Sequence, residues 1–254
     1  MADAYIVKPV AKALQTLVVI GEADRDLSLA ELCHRVDIPK TTIFRYLQTL
    51  VAHGFVRHDP LTDRYGLGLR LWDLGQLVGA NTRLREVARL PMEALRDRFN
   101  ETINLGVLDG KEIVYMEMAE SRKSLRMQAQ IGGRDPVHTT SLGRAMLAFL
   151  PDERWSEHLP ARLAPRTART ISSLPALRSE LMATRTRGYA IDDRENEDDA
   201  RCIGAPIWDR RGEVIAAVSL SAPASRFNEE RDAEVAAAVV NTARHISRLL
   251  GFGQ

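Results

Sequence analysis

The stretch Ser28–Gly68, SLAELCHRVDIPKTTIFRYLQTLVAHGFVRHDPLTDRYGLG, decides the fold. Ser28 and Glu31 have the spacing of a capping box, and Leu29, Leu32 and Val36 give the helix that follows an apolar side. Asp37-Ile38-Pro39 ends that helix, because the residue before a proline avoids the helical region. Pro39 is a good first residue for the next helix, predicted from Pro39 to His53, where Ile43, Leu47, Leu50 and Val51 recur at helical spacing. Phe55-Val56 then opens a strand, Asp59-Pro60-Leu61-Thr62-Asp63 turns, and Arg64-Tyr65 returns toward Gly66 and Gly68. Upstream, Pro9 fits the first turn of a helix that Gly21 ends, with Val10, Ala13, Leu14, Leu17 and Val18 on one face.

Three helices and a hairpin in this order are a winged helix-turn-helix, which lays its last helix in a DNA major groove. On that helix the face opposite the apolar stripe carries Thr41, Arg45, Gln48 and Thr49, flanked by Lys40 and Thr42. Such donors and short hydroxyls suit phosphates and base edges. From Ile38 to His58 the charged residues are Lys40, Arg45 and Arg57, a segment of +3 in a chain of +1. That is the local footprint phosphates require. The expected DNA contacts are Lys40, Thr41, Thr42, Arg45, Gln48 and, near the hairpin tip, Arg64.

The 254 residues have room for one large or two modest domains, and a hydrophobic fraction of 45% supports a packed core. Cys33 and Cys202 lie far apart without metal-type spacing and read as reduced thiols, so neither a metal nor a cofactor is expected. The opening MADAYIVKPVAKAL has no long apolar core before a small-residue cleavage site, and no apolar run has the length of a membrane span. A cytoplasmic protein is expected.

The chain resembles the IclR-type transcriptional regulators. The resemblance is carried by IPKTTIFRYLQTLVAHGFVRHDPLTDRYGLG, by GGRDPVHTTSLGRAMLAFLP and by RGYAIDDRENEDDARCIGAPIWDRRGEVIAAVSLSAP, and it extends from about Lys8 to Leu250. It implies an α+β chain with a winged helix-turn-helix at 1–68, a linker helix at 69–81 and a GAF-like α/β effector-binding domain with an antiparallel sheet at 82–254. It also implies a homodimer or homotetramer that binds a palindromic double-stranded DNA operator and is switched by a small organic acid or related metabolite. By the same resemblance the backbone around Ser141 and Leu142 holds the ligand carboxylate, and Asp192, Cys202, Ser219 and Ser221 match other pocket positions. Some family members have Gly-Ala where this chain has Ser141-Leu142, a departure that tells against a glyoxylate- or pyruvate-like effector.

The residues of the second part give their own reading. Leu69, Leu71, Leu74, Leu77 and Val78 stripe a helix that Gly79-Ala80-Asn81 is expected to break, either a switch element or a plain spacer. A further helix from about Arg83 to Asn100 has Val87, Leu90, Ala94, Leu95 and Phe99 on its apolar side. Ile103 to Leu108 and Glu112 to Met118 form a hairpin across Asp109-Gly110, and Cys202 to Trp208 pairs with Val214 to Ser221. A last helix starts near Asn228, with Val235, Val239, Thr242, Ile246 and Leu249 as its stripe. Thr139-Thr140-Ser141 lead into a helix whose free amides form a natural anion site. Ser219 and Ser221 face one side of their strand and need partners, either a polar ligand or a backbone group. Cys202 reads equally as a buried inert thiol, His138 as a satisfied structural histidine, and the acidic run Asp192 to Asp199 as a solvated loop rather than a metal site. A hydrolase using Cys202 or Ser219 is the rival reading, but no nucleophile elbow, P-loop, paired cysteines or HExxH accompanies them. A ligand-independent DNA binder is the third.

Overall fold

The computed structural model describes residues 5–77 and 79–253, and their side chains except those of 76–82. The chain divides between Gly79 and Ala80 into two compact units. The first unit contains α1 (Lys8–Gly21), β1 (Leu27–Ser28), α2 (Leu29–Val36), α3 (Lys40–Ala52), β2 (Val56–Asp59), β3 (Arg64–Leu67) and the linker helix α4 (Arg70–Leu77). The capping box at the start of α2 is complete. The Glu31 N–H donates to Ser28 Oγ at 3.3 Å, and the Ser28 N–H donates to Glu31 Oε2 at 2.8 Å. Asp37 ends α2 in the left-handed region at φ 51°, so the reversal into α3 is made one residue before Ile38-Pro39. Pro39 is extended and caps α3, which begins at Lys40. Leu27, Leu32, Val36, Ile43, Leu47, Val56 and Tyr65 close the core of this unit. The sheet, in the order β1-β3-β2, includes a short strand at Leu27–Ser28 that periodicity does not reveal, because two residues carry no period.

The shared apolar face of α1 is divided: Leu17 packs against the core of this unit, whereas Val10, Leu14 and Val18 are 56%, 57% and 56% exposed, and the buried residues of the helix are Thr16 and Ile20. On the α4 stripe, Leu69 and Leu74 are exposed, and Trp72 lies open beside them. Leu77 and Val78 of that stripe fall outside the described side chains. Gly79-Ala80-Asn81 does not break the helix there but belongs to the next one.

The second unit contains α5 (Gly79–Phe99), β4 (Thr102–Asp109), β5 (Glu112–Ala119), β6 (Arg134–Pro136), α6 (Ser141–Leu147), α7 (Trp155–His158), α8 (Leu174–Arg187), β7 (Ala190–Asp193), β8 (Ala200–Trp208), β9 (Val214–Pro223) and α9 (Asp232–Leu249). Its six-stranded sheet runs β6-β5-β4-β9-β8-β7, with every neighbouring pair antiparallel. Alternation along the strands separates two layers. Ile103, Leu105, Ile203, Val218 and Leu220 pack with Leu84, Met92 and Leu95 of α5 and Val235, Val239 and Ile246 of α9. Ile113, Ala190 and Ala217 pack with Leu142, Ala145 and Met146 of α6 and Leu177 and Leu181 of α8.

The buried stripe of α5 is Leu84, Ala88, Met92, Leu95 and Phe99, while the predicted Leu90 and Ala94 are exposed. A short 3-10 turn at Glu229–Arg231 precedes α9, and Leu249 of its predicted stripe is exposed. No described helix is long and apolar enough to cross a membrane.

Candidate functional site

Strand register assembles the polar side chains of the second unit. Asp192 of β7 pairs with Cys202 of β8, and Cys202 with Ser221 of β9. One row along, Gly204 pairs with Ser219, and Ser219 with Asn104 of β4. These positions share the sheet face that α6 covers, and their side chains are small, so a space is left beneath α6. The space is a cavity of about 230 Å³, with Ser141, Leu142, Asp192, Cys202, Ser219 and Ser221 all in its lining. Asn104, Tyr115, Asp135 and Asn196 also line it.

The start of α6 is held against the sheet very closely. A Cβ on Gly204 would stand 2.8 Å from the Ser141 carbonyl carbon and oxygen. Thr140 caps α6: its hydroxyl accepts from the Gly143 N–H at 3.0 Å, and its carbonyl accepts from the Arg144 N–H at 3.0 Å. The N–H groups of Ser141 and Leu142 have no acceptor among the described residues. On the sheet side, Asn104 Nδ2 donates to Ser221 Oγ at 3.1 Å, and Asn104 Oδ1 is buried without a partner among the described residues. A buried acceptor left unpaired costs free energy that an O–H or N–H of a ligand recovers.

Asp192 forms part of the floor. Its Oδ1 accepts from the N–H groups of Glu195 at 2.8 Å and Asn196 at 3.3 Å. Burial pushes its carboxyl up to about 6, against the pull of Arg144 and of those two N–H groups. Below the floor Arg144 is fully buried, donating to the Ile191 carbonyl at 2.6 Å and pairing with Glu195 at 2.7 Å. Arg169, Arg194 and Arg201 pair with Asp193. The acidic run is therefore not simply a solvated loop. Asp192, Glu195 and Asn196 are buried, and the internal ion pair fixes their turn. Tyr115 donates its hydroxyl to Asp135 at 2.9 Å, and burial followed by that carboxylate raises its phenol far above the usual range. Arg134 lines the cavity but is held by Asp109 and Glu112. The lining is thus rich in acceptors.

Cys202 carries a protonated thiol, because burial first and Asp192 second push it well up. No histidine lines the cavity among the described residues. His138 is buried, with Nε2 at 3.1 Å from the Ala164 carbonyl, and burial lowers its pKa, which leaves a neutral structural ring. No grouping of three or more His, Cys, Asp or Glu able to hold a metal occurs among the described residues.

The raised Asp192 pKa has a consequence for stability. An unfolded aspartate titrates near 4, so between about pH 4 and about pH 6 the folded chain binds more protons than the unfolded one. The contribution of Asp192 is most favourable at the acid end of that window and is lost as pH rises through about 6. Asp192→Asn keeps an acceptor for the two N–H groups without the buried charge. It is expected to be more stable than wild type at neutral pH by about 1–3 kcal/mol, and so to melt higher, with the gap closing toward pH 4. Thermal melts across that range check this.

In the first unit Lys40, Thr41, Arg45 and Gln48 are exposed on one arc of α3, and Thr42 is half-buried beside them. Lys40 and Arg45 have no ion-pair partner among the described residues, whereas Arg57 pairs with Asp26 at 2.8 Å. The basic segment therefore keeps two free cations rather than three. Arg64 stands in the last rung before the turn, opposite Asp59, but its side chain is tied down within the unit. It donates to the Asp26 carbonyl at 2.9 Å and pairs with Glu31 at 3.2 Å, which ties β3 to the start of α2.

Sequence reasoning missed Asn104, Tyr115, Asp135, Asn196 and Arg144. The first four reach the cavity by long-range register or turn geometry, which leaves no local signal. Arg144 had one, as a lone charge within the apolar run LGRAMLAFL.

A DNA-reading unit followed by a domain built around a polar cavity defines a ligand-responsive transcriptional regulator. The chain belongs to the IclR family. Residues 9–60 match the IclR helix-turn-helix domain, and residues 76–248 match the bacterial transcriptional regulator IclR C-terminal domain. It is 38% identical over 247 residues to the HTH-type transcriptional regulator KdgR of Escherichia coli (strain K12), covering 97% of this chain and 94% of that one. It is similar to the crystal structure of the Thermotoga maritima IclR, at TM-score 0.79 and 32% identity, with 97% of this chain and 100% of that one covered. It is also similar to an IclR homolog from Microbacterium hydrocarbonoxydans complexed with 4-hydroxybenzoate, at TM-score 0.82 and 27% identity over 95% of this chain and 98% of that one. The chain is thus a member of a family of bacterial transcriptional regulators.

Proposed function

We propose that two copies of this chain read a palindromic operator through α3, and that a small hydroxylated organic acid in the cavity under α6 sets their activity. The observation that carries the reading is the convergence of Ser141, Leu142, Asp192, Cys202, Ser219 and Ser221 on one cavity. The ligand carboxylate lies at the free N–H groups of Ser141 and Leu142. Its hydroxyl end meets the acceptors, Asn104 Oδ1 and the Asp192 carboxyl, with Ser219 and Ser221 beside them. The 4-hydroxybenzoate held by the Microbacterium homolog combines the same two groups. A ligand without a donor at its far end leaves Asn104 Oδ1 unpaired, which disfavours small keto acids.

Lys40, Thr41, Thr42, Arg45 and Gln48 make the contacts to DNA, and Arg64 acts by bracing the wing against α2. The exposed stripes on α1 and α4 support assembly, since Val10, Leu14, Val18 and Trp72 gain from being covered by a second copy. Residues 1–68 act as the reader, 69–81 as the linker and 82–254 as the sensor, in the cytoplasm beside the operator.

Arg45→Ala tests the reader. Arg45 is exposed and has no ion-pair partner among the described residues, so the fold is expected to be unchanged, while operator affinity at fixed salt falls about tenfold or more. An electrophoretic shift assay with equal affinities for the two proteins sinks the assignment.

A further inference from the structure

Phe44 is 44% exposed on α3. Helical spacing places it on the same arc as Lys40 and Thr41, four and three residues before it, and Gln48, four residues after it, all of them exposed. Its neighbours Ile43 and Leu47 are fully buried, and Tyr46 packs against the same core, so Phe44 is the aromatic ring that α3 leaves on its polar side. This large ring stands 44% exposed among donors and outside the core of the unit, on a helix whose cations Lys40 and Arg45 lack acid partners among the described residues. In the major groove, the C5-methyl of thymine is the apolar feature that bases present between hydrogen-bonding edges.

We propose that Phe44 packs on a thymine methyl in each operator half-site and so fixes the base read at that position, beside the polar contacts of its neighbours. This rests on α3 being the helix that reads DNA, and the test separates the two claims. Operators are selected from a random duplex pool with the full-length protein. Each thymine of the selected site is then replaced by uracil, which removes the methyl and keeps every hydrogen-bonding group.

Wild type is expected to lose about fivefold in affinity at one thymine position per half-site. Phe44→Ala is expected to bind the thymine and uracil operators equally at that position, and Phe44→Leu to keep part of the preference. Circular dichroism confirms that the variants keep the wild-type fold, as the exposure of Phe44 leads one to expect. Selection that yields no preferred sequence overturns the reading of α3, and the inference with it. Selection that succeeds while the uracil scan is flat, or while Phe44→Ala keeps the thymine preference, overturns the role of Phe44 alone.

Discussion

Gly143→Ala is expected to lower the melting temperature of the sensing domain while leaving the winged helix-turn-helix folded. A Cβ at this position would stand 2.3 Å from the Val137 carbonyl oxygen and 2.6 Å from Val137 Cα. Both obstructing atoms are backbone, so no rotamer change relieves the clash. Val137 is fully buried and cannot retreat without moving the cap of α6. Gly143 also donates its N–H to the Thr140 hydroxyl, so a shift that admits the methyl group loses the cap as well. The expected cost is about 3 kcal/mol or more, equivalent to about 10 °C in the melting temperature of a domain this size. Gly75→Ala is the control. Among the described residues nothing lies within 4 Å of a Cβ there, and the residue is inside α4, so the substitution is expected to be neutral or slightly stabilising. Equal melting temperatures for the two variants would refute the close packing of α6.

Ser219→Phe is expected to give a regulator that still binds its operator and ignores every effector. Ser219 is buried on β9, between Gly204 and Asn104, and lines the cavity. A phenyl ring there fills much of a space of about 230 Å³ and covers Asn104. The change lies wholly within the second unit, so operator affinity without effector is expected to stay near wild type. Calorimetric affinity for the effector is expected to fall at least about a hundredfold. Ser219→Ala separates blockage from loss of the hydroxyl. It keeps the space and is expected to lose only about three- to tenfold, the value of one hydrogen bond. Retained effector binding in Ser219→Phe would place the ligand elsewhere.

The local parts of this architecture were readable from the chain. The Ser28–Glu31 capping box, the helix end at Asp37-Ile38-Pro39 and the Asp109-Gly110 hairpin each depend on residues a few positions apart. The burial of α1 was not readable, because helical spacing identifies an apolar face without saying whether a core or another surface covers it. The same limit holds for α5, whose buried stripe runs through Ala88 and Met92 rather than Leu90 and Ala94. Of the cavity, the resemblance supplied Ser141, Leu142, Asp192, Cys202, Ser219 and Ser221, and the structure places them around one space. Asn104 was out of reach. It meets Ser221 across 117 residues of chain, through a β4–β9 pairing that nothing local encodes. The acidic run was misjudged for a related reason. Its density of charge reads as solvated until Arg144 from another element is known to lie beneath it.

The most direct test of the account is a fluorescence anisotropy titration of the selected operator duplex with full-length protein. It is run at fixed salt, alone and with a panel of small hydroxy acids that includes 4-hydroxybenzoate. The account predicts that at least one hydroxy acid shifts operator affinity by about tenfold or more, and that Ser219→Phe removes the shift. An operator affinity unchanged by every compound at saturating concentration, in a protein that binds the duplex selectively, would contradict it.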